Sequence, residues 1–592
     1  MQTSTRQSIR TNTVNTALAL LILSVCLNTL GYSQRRKPAA ELHYKKAMAL
    51  LEKQQIDQAI AELNLAIKIE PDYADAHNVM GLALARKGDL RSAIGSFRKS
   101  AELNPKDYKV HRNLGNALQQ IGEIEPAISA LRNSIALKPD EADTRFLLGF
   151  ALQRQGNATE SIAELRETVR LNPKMTEAHF YLGYALASTG RMQEAALEFE
   201  ITLKQNPGMG QAHYYLGTAR WFGGDVDGAI SSLRLAVKIM PNHADAHYYL
   251  GLALRKNGDW QESMNAFTTA IRVAPEIAEP RQAMGQMLQE NGDLDEAIEQ
   301  FRAVVKMKPN FPQAYNDLGL ALVAKREPDA AIEAFNNSIR LDPNNLIARH
   351  NLGMAYIQKS DYNSAIAEYR KLIEIAPESA GAHYNLALAL KNKDALDEAT
   401  GELKKAIALQ SDLPEAHYTL GVIFLQQSKL DDAAAALNAA LKAKPDYAEA
   451  HYTLGTVLQQ QGKLDDAIAS LSQALKYTPD APEIHNSLGT ALRQKGDIEA
   501  ARKEFQEAAR LNKKKSDSQA ATFALNTGIA RLKEGKTDEA IERFEAATKL
   551  DQENVQAYYN LAKALKQKGR HEESKAAYEK ARALNPRLRP LN

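Results

Sequence analysis

Residues 245–256 place Ala246, Tyr249, Leu250 and Ala253 at helical spacing, with polar residues between them. Asn257-Gly258-Asp259 interrupts the pattern, and Gly258 suits the left-handed position just past a helix end. A second helix is predicted from Gln261 to Val273, with Met264, Phe267, Ala270 and Ile271 on one face. Pro275 lacks an amide hydrogen and stops it. The stretch 244–277 therefore reads as a helix–turn–helix.

The same alternation returns every 34 residues from Ala40 almost to the last residue. Ala-His-Tyr-Tyr-Leu-Gly at 246–251 comes back as Ala-His-Tyr-Thr-Leu-Gly at 450–455. The glycine of that phrase keeps the beat from Gly81 to Gly353, and a proline keeps it from Pro71 to Pro377. A fixed period of this size marks a solenoid, in which each unit buries its apolar face against its neighbours. A glycine inside a helix costs about 1 kcal/mol against alanine, so its recurrence signals a close helix approach. The matching place on the second helix is small in all sixteen units, from Ala59 through Ser161 and Ser263 to Ser574.

The pattern Ala-His-Tyr-x-Leu-Gly, then Gly-Asp-x-x-x-Ala-Ile, then Ala-x-x-x-x-Pro resembles the tetratricopeptide repeat. The resemblance covers residues 40–588. It implies an all-α fold, a right-handed superhelical solenoid of about sixteen 34-residue repeats whose first helices line a concave groove. Fourteen units run in phase over 40–515, and two more over 521–588. Residues 516–520 are an insert and the one candidate boundary or hinge, because Lys513-Lys514-Lys515 replaces the usual proline region. Residues 34–39 read as a short linker and 589–592 as a tail.

Composition narrows the function. An apolar content of 44% suffices for a core. The net charge is +2, and the first 33 residues hold Arg6 and Arg10 but no acid, so the rest is neutral with interspersed signs. Nucleic acid is not expected as a partner. From Gln34 onward there is no cysteine, hence no disulfide, thiol nucleophile or cysteine zinc site. No phosphate loop, zinc-protease helix or nucleophile elbow occurs, so neither a cofactor nor an enzyme activity is expected. Ten of the thirteen histidines share the fourth place of a unit, from His43 to His485. Successive ones fall about 10 Å apart, too far to share an ion, which makes this a packing position.

The N-terminus reads as an address. Arg6 and Arg10 precede an apolar run over Val14–Leu30, and Gly31-Tyr32-Ser33 puts small residues before a cut at Gln34. Residues 1–33 are therefore expected to be a signal peptide, and the protein periplasmic or secreted. Arg35, Arg36 and Lys37 oppose export, so an uncleaved anchor through 14–30 also fits. Lipidation at Cys26 is a lesser alternative, weakened by Val25 where a small residue belongs. The membrane enters only through this segment.

By the family resemblance, the second, fifth, ninth, twelfth and thirteenth places of a unit face the groove. The densest aromatic belt there is Phe146, Phe150, Phe180, Tyr184, Tyr214, Trp221, Phe222 and Tyr248. A sparser row is Tyr384, Tyr418 and Tyr452, interleaved with Glu415, Glu449 and Glu483. Clustered aromatics are what interaction hot spots are built from. Asparagines at the sixth place (Asn113, Asn351, Asn385, Asn526 and Asn560) resemble the ladder in the repeats of O-linked N-acetylglucosamine transferase, broken here by Tyr181, Tyr215 and Tyr249. That enzyme's catalytic domain has no counterpart among the 592 residues, so its activity is not expected. The expected function is a non-catalytic scaffold that holds a protein or peptide segment in the groove. Two other readings stay open: an envelope assembly scaffold for polysaccharide or pilus components, with glycan as ligand, and a non-catalytic subunit of a glycosyltransferase-type enzyme.

Overall fold

A computed structural model describes residues 36–586, 588, 590 and 591. The proposed signal peptide and Cys26 lie outside the described residues. Among these there are 31 α-helices and no strand. Within each of two compact units, successive helices pair into hairpins that pack on one another. Contacts divide the chain into two compact units, one ending at Gly223 and the other starting at Gly224. The division falls in the turn of the sixth repeat. The first unit therefore ends on the helix Gly210–Phe222 and the second begins with Val226–Ile239.

The turn inside each hairpin is set by one left-handed residue. Gly258 has φ +90°, and Gly88, Gly156 and Gly292 match it. At Gly88 the amide donates to the Ala85 carbonyl, and the next amide, of Asp89, reaches the Leu84 carbonyl. These bonds satisfy the orphan acceptors at the helix end. Five repeats place another residue there: Gln54, Arg326, Ser360, Asp394 and Ser428.

The two helices of a hairpin meet where the sequence is smallest. A Cβ on Gly251 would lie 2.6 Å from the Phe267 ring, and one on Gly115 would lie 2.5 Å from the Leu131 side chain. The facing rings Phe199, Phe267, Phe301 and Phe335 are all fully buried. The small residue of the second helix touches the glycine's own backbone. Ser161 and Ser263 donate to the carbonyls of Gly149 and Gly251 at 2.7 Å.

The insert departs from expectation. Residues 516–520 form no hinge but lie inside a single helix, Ile498–Lys533, which fuses the second helix of one repeat with the first helix of the next. Asn512–Ala520 contains neither proline nor glycine, and lysine, alanine and glutamine favour helix. The surfaces that normally stack across a joint are also altered. Arg502 and Ala509 stand where the preceding repeat has Ile468 and Leu475. Thr527 and Arg531 stand where it has Leu488 and Leu492. Phe523, at a place held by a buried alanine in ten other repeats, is 74% exposed.

Candidate functional site

The first helices of neighbouring repeats are joined by two rows of contacts, each between residues 35 apart. In one row the fifth place of a repeat meets the sixth place of the next. Asn113 donates to Asn78 at 3.1 Å, Asn351 to Asn316 at 2.9 Å, and Gln282 to Asp317 at 2.8 Å. The same rung is aromatic where Phe146 meets Tyr181 (5.9 Å between centroids) and Phe180 meets Tyr215 (5.7 Å). In the other row the twelfth place meets the thirteenth. Arg154 donates to the Gln119 carbonyl at 2.8 Å, and Gln358 to the Val323 carbonyl at 3.0 Å.

These rungs add to one sequence reading and correct another. The asparagines at the sixth place do not form an open ladder. Asn113 and Asn351 spend their amides on the preceding repeat, and Asn385 donates to the Gly381 carbonyl. The aromatic belt is not an exposed strip either: Phe146, Phe150, Phe180 and Tyr214 are all buried. Phe150 packs edge-on to Tyr181 at 4.8 Å, and Tyr184 edge-on to Tyr215 at 5.3 Å. Tyr181 and Tyr215, read from sequence as breaks in the asparagine ladder, are the rings that enclose the belt. A bulky sixth place one period after a bulky fifth place was the available signal.

Other candidates keep access to solvent. Tyr184 and Trp221 are half-buried and Phe222 is exposed. In the second compact unit Tyr248, Tyr384, Tyr418 and Tyr452 are half-buried, with Glu415 half-buried and Glu449 and Glu483 exposed. Sequence reading missed two apolar side chains on one first helix, at places that the family resemblance assigns to the groove. Ile347 at the second place is 65% exposed and Met354 at the ninth is 41% exposed. Seven residues apart, they share one helix face.

Burial tunes the acids and phenols on this face. It pushes the Tyr248 hydroxyl up to about 12. It also raises the Asp245 carboxyl, helped by the nearby Glu279 charge. Burial pushes Glu279 up, but Lys308 at 2.6 Å and backbone amide hydrogen bonds together hold it below its ordinary range.

The fourth-place histidines are turn clips. His179 donates through Nδ1 to the Glu198 carboxylate at 2.6 Å and through Nε2 to the Pro173 carbonyl at 3.0 Å. His383 and His485 repeat both contacts. Arginine does the same work at Arg145, which reaches the Pro139 carbonyl and Glu164. The hydrogen bond to Glu198 raises the His179 pKa against the opposing effect of burial. Among the described residues no group of three or more His, Cys, Asp or Glu can hold a metal ion.

Hairpins of this kind, with a packing glycine facing a ring and a left-handed turn at a fixed period, define a helical-repeat protein. The chain belongs to the tetratricopeptide repeat family. Family profiles described as tetratricopeptide repeat match residues 112–174, 146–209, 196–241, 283–345 and 452–518, and further ones 74–107, 244–277 and 555–587. A profile described as TPR repeat matches 47–88, 353–394, 421–462 and 528–569. No curated protein matches the chain. Among solved structures it is similar to YrrB, described as a TPR protein with an unusual peptide-binding site, at 24% identity over 31% of this chain and 95% of that one, with a TM-score of 0.30. It is similar to MamA from Desulfovibrio magneticus RS-1 at 23% identity, over 29% and 98% of the two chains, with a TM-score of 0.28. The Cut9–Hcn1 assembly of APC/C aligns over 78% of this chain and 97% of that one, at 16% identity and a TM-score of 0.33.

Proposed function

We propose that the chain is a non-catalytic scaffold that binds a protein or peptide segment on the face formed by its first helices. The exposure of Ile347 and Met354 carries this reading. Both are side chains that folding ordinarily buries, and both stand on the face that the family resemblance assigns to ligands. Tyr384, Tyr418 and Tyr452 extend that face with half-buried rings beside carboxylates. Half-buried rings offer apolar area with little entropy to lose on binding.

Random dodecapeptides displayed on phage and panned on the full chain test the idea. A recurring peptide motif is expected. Ile347→Asp with Met354→Asp should weaken the selected peptides at least tenfold, since burying one such side chain contributes about 1.5–3 kcal/mol and 1.4 kcal/mol is tenfold. The melting curve should not move, because neither side chain is buried in the free chain. No enrichment over bare support would sink the reading.

Export belongs to the same proposal. The apolar run before Gln34 supports it, and a cut there leaves Arg36 and Lys37 in place. Both are tied to the first repeats, Lys37 through the Ile69 carbonyl and Glu70. Intact mass of the mature protein should correspond to a chain starting at Gln34; a chain starting at Met1 would refute cleavage.

A further inference from the structure

One arrangement of two tyrosines and two carboxylates occurs twice, eleven repeats apart, and in one occurrence it grips a cation. Near the N-terminus the rings of Tyr44 and Tyr73 lie 5.0 Å apart at a tilt. Asp75 and Glu41 stand close enough to act electrostatically on the Tyr73 hydroxyl. Arg36 enters this cradle. Its Nη1 donates to the Tyr73 hydroxyl at 2.9 Å, its guanidinium pairs with Asp75, and its Cζ lies 4.6 Å from the Tyr73 ring centroid. The cation thus meets a carboxylate, a hydroxyl acceptor and an aromatic face at once.

Adding 374 to each of the four residue numbers gives Tyr418, Tyr447, Glu449 and Glu415, the same residue types except glutamate for Asp75. Their geometry matches. The Tyr418 and Tyr447 rings lie 5.1 Å apart at a tilt, and Glu415 and Glu449 both act on the Tyr447 hydroxyl. Equal places in the repeat impose equal backbone frames, which is why the two cradles coincide. Lys444 rests on the Tyr447 ring at 4.9 Å. Among the described residues Glu415 and Glu449 make no ion pair.

We propose that Tyr418, Tyr447, Glu415 and Glu449 bind an arginine side chain of the partner segment, as Tyr73 and Asp75 bind Arg36. This rests on the peptide-binding reading above. Arginine fits better than lysine because its planar fork can donate to the hydroxyl and a carboxylate at once, beside the Lys444 that already rests on the Tyr447 ring.

The probe is a fluorescein-labelled heptapeptide with the sequence of residues 34–40, Gln-Arg-Arg-Lys-Pro-Ala-Ala. In the full chain the tethered Arg36 keeps the first cradle filled at high effective concentration, so the probe reports the second. Saturable anisotropy is expected. Glu449→Gln should weaken it about tenfold, in line with the loss of a charge-assisted bond. Citrulline at the second arginine of the probe should cost a similar factor, and the two losses should not add. Glu449 is exposed, so the substitution spares the fold. Tyr447→Phe, which keeps the ring and removes the hydroxyl acceptor, should weaken binding by a smaller factor.

Equal affinity for wild type and Glu415→Gln/Glu449→Gln, indifference to citrulline, or no saturable binding would each overturn the proposal. If selected dodecapeptides still bind while any of these holds, the peptide-binding face stands and the arginine cradle falls. If the dodecapeptides also fail, both fall.

Discussion

Gly251→Ala is expected to cost about 1 kcal/mol of local stability, although alanine is the better helix former. The gain in helix propensity is about 1 kcal/mol. Against it, the new Cβ would lie 2.6 and 2.7 Å from two carbons of the Phe267 ring, well inside contact distance. That ring is fully buried and has nowhere to retreat. Overpacking of this kind costs about 1–3 kcal/mol, so the clash outweighs the propensity gain. A second substitution separates the two effects. The eleventh repeat carries Ala387 at the glycine's place, facing Leu403, and both are fully buried in one cluster. Phe267→Leu should therefore absorb much of the cost of Gly251→Ala, with a coupling of about 1 kcal/mol or more between the two sites. Stability in a stack of repeats is local, so amide exchange of residues 244–273 is the measurement. Additive losses would show that the glycine is retained for some reason other than the ring.

Ser516→Pro is expected to cost about 3 kcal/mol or more, spent on the middle of the long helix. Residue 516 lies inside Ile498–Lys533, where proline removes one backbone bond and strikes the preceding turn. At 1.5 Å per residue the 36-residue helix is about 54 Å long. Its centre is exposed, held at the side by Ser518 donating to Asp551 at 2.9 Å. Protection should collapse around residues 510–522, while the cores containing Leu488 and Phe544 stay closed. Ser516→Ala should leave exchange unchanged or slower. A flexible joint would respond the other way, because proline in a compatible loop is neutral or stabilises by about 0.4–1 kcal/mol.

That joint shows how sequence reading fails. The absence of proline after Leu511 was visible, and a lost breaker was read as a looser joint. Physically it permits the opposite, because a helix continues until something stops it. The replacement of Ile468- and Leu475-type residues by Arg502 and Ala509 was equally visible. Its meaning depends on knowing that those places form the stacking surface, which requires the packed neighbour. Part of the aromatic belt was misread for a related reason. Phe146 and Phe180 were placed on the ligand face by their position in the unit. Their burial depends on Tyr181 and Tyr215, one repeat further on, which close over them. Ile347 and Met354 escaped notice because they are aliphatic, and aliphatic residues on a helix read as core.

The chain alone determined what repeats locally: two helices per 34 residues, the glycine between them, the left-handed turn and the small residue opposite. These are set by backbone conformation and near-neighbour contact, and each is written within one period. Tertiary structure decided which same-face side chains remain accessible, whether a joint bends or runs straight, and which acid and tyrosine converge on one cation. Those outcomes depend on residues 35 apart meeting across a joint, as Asn78 and Asn113 do. Burial is a property of both partners at once, and no single period contains both.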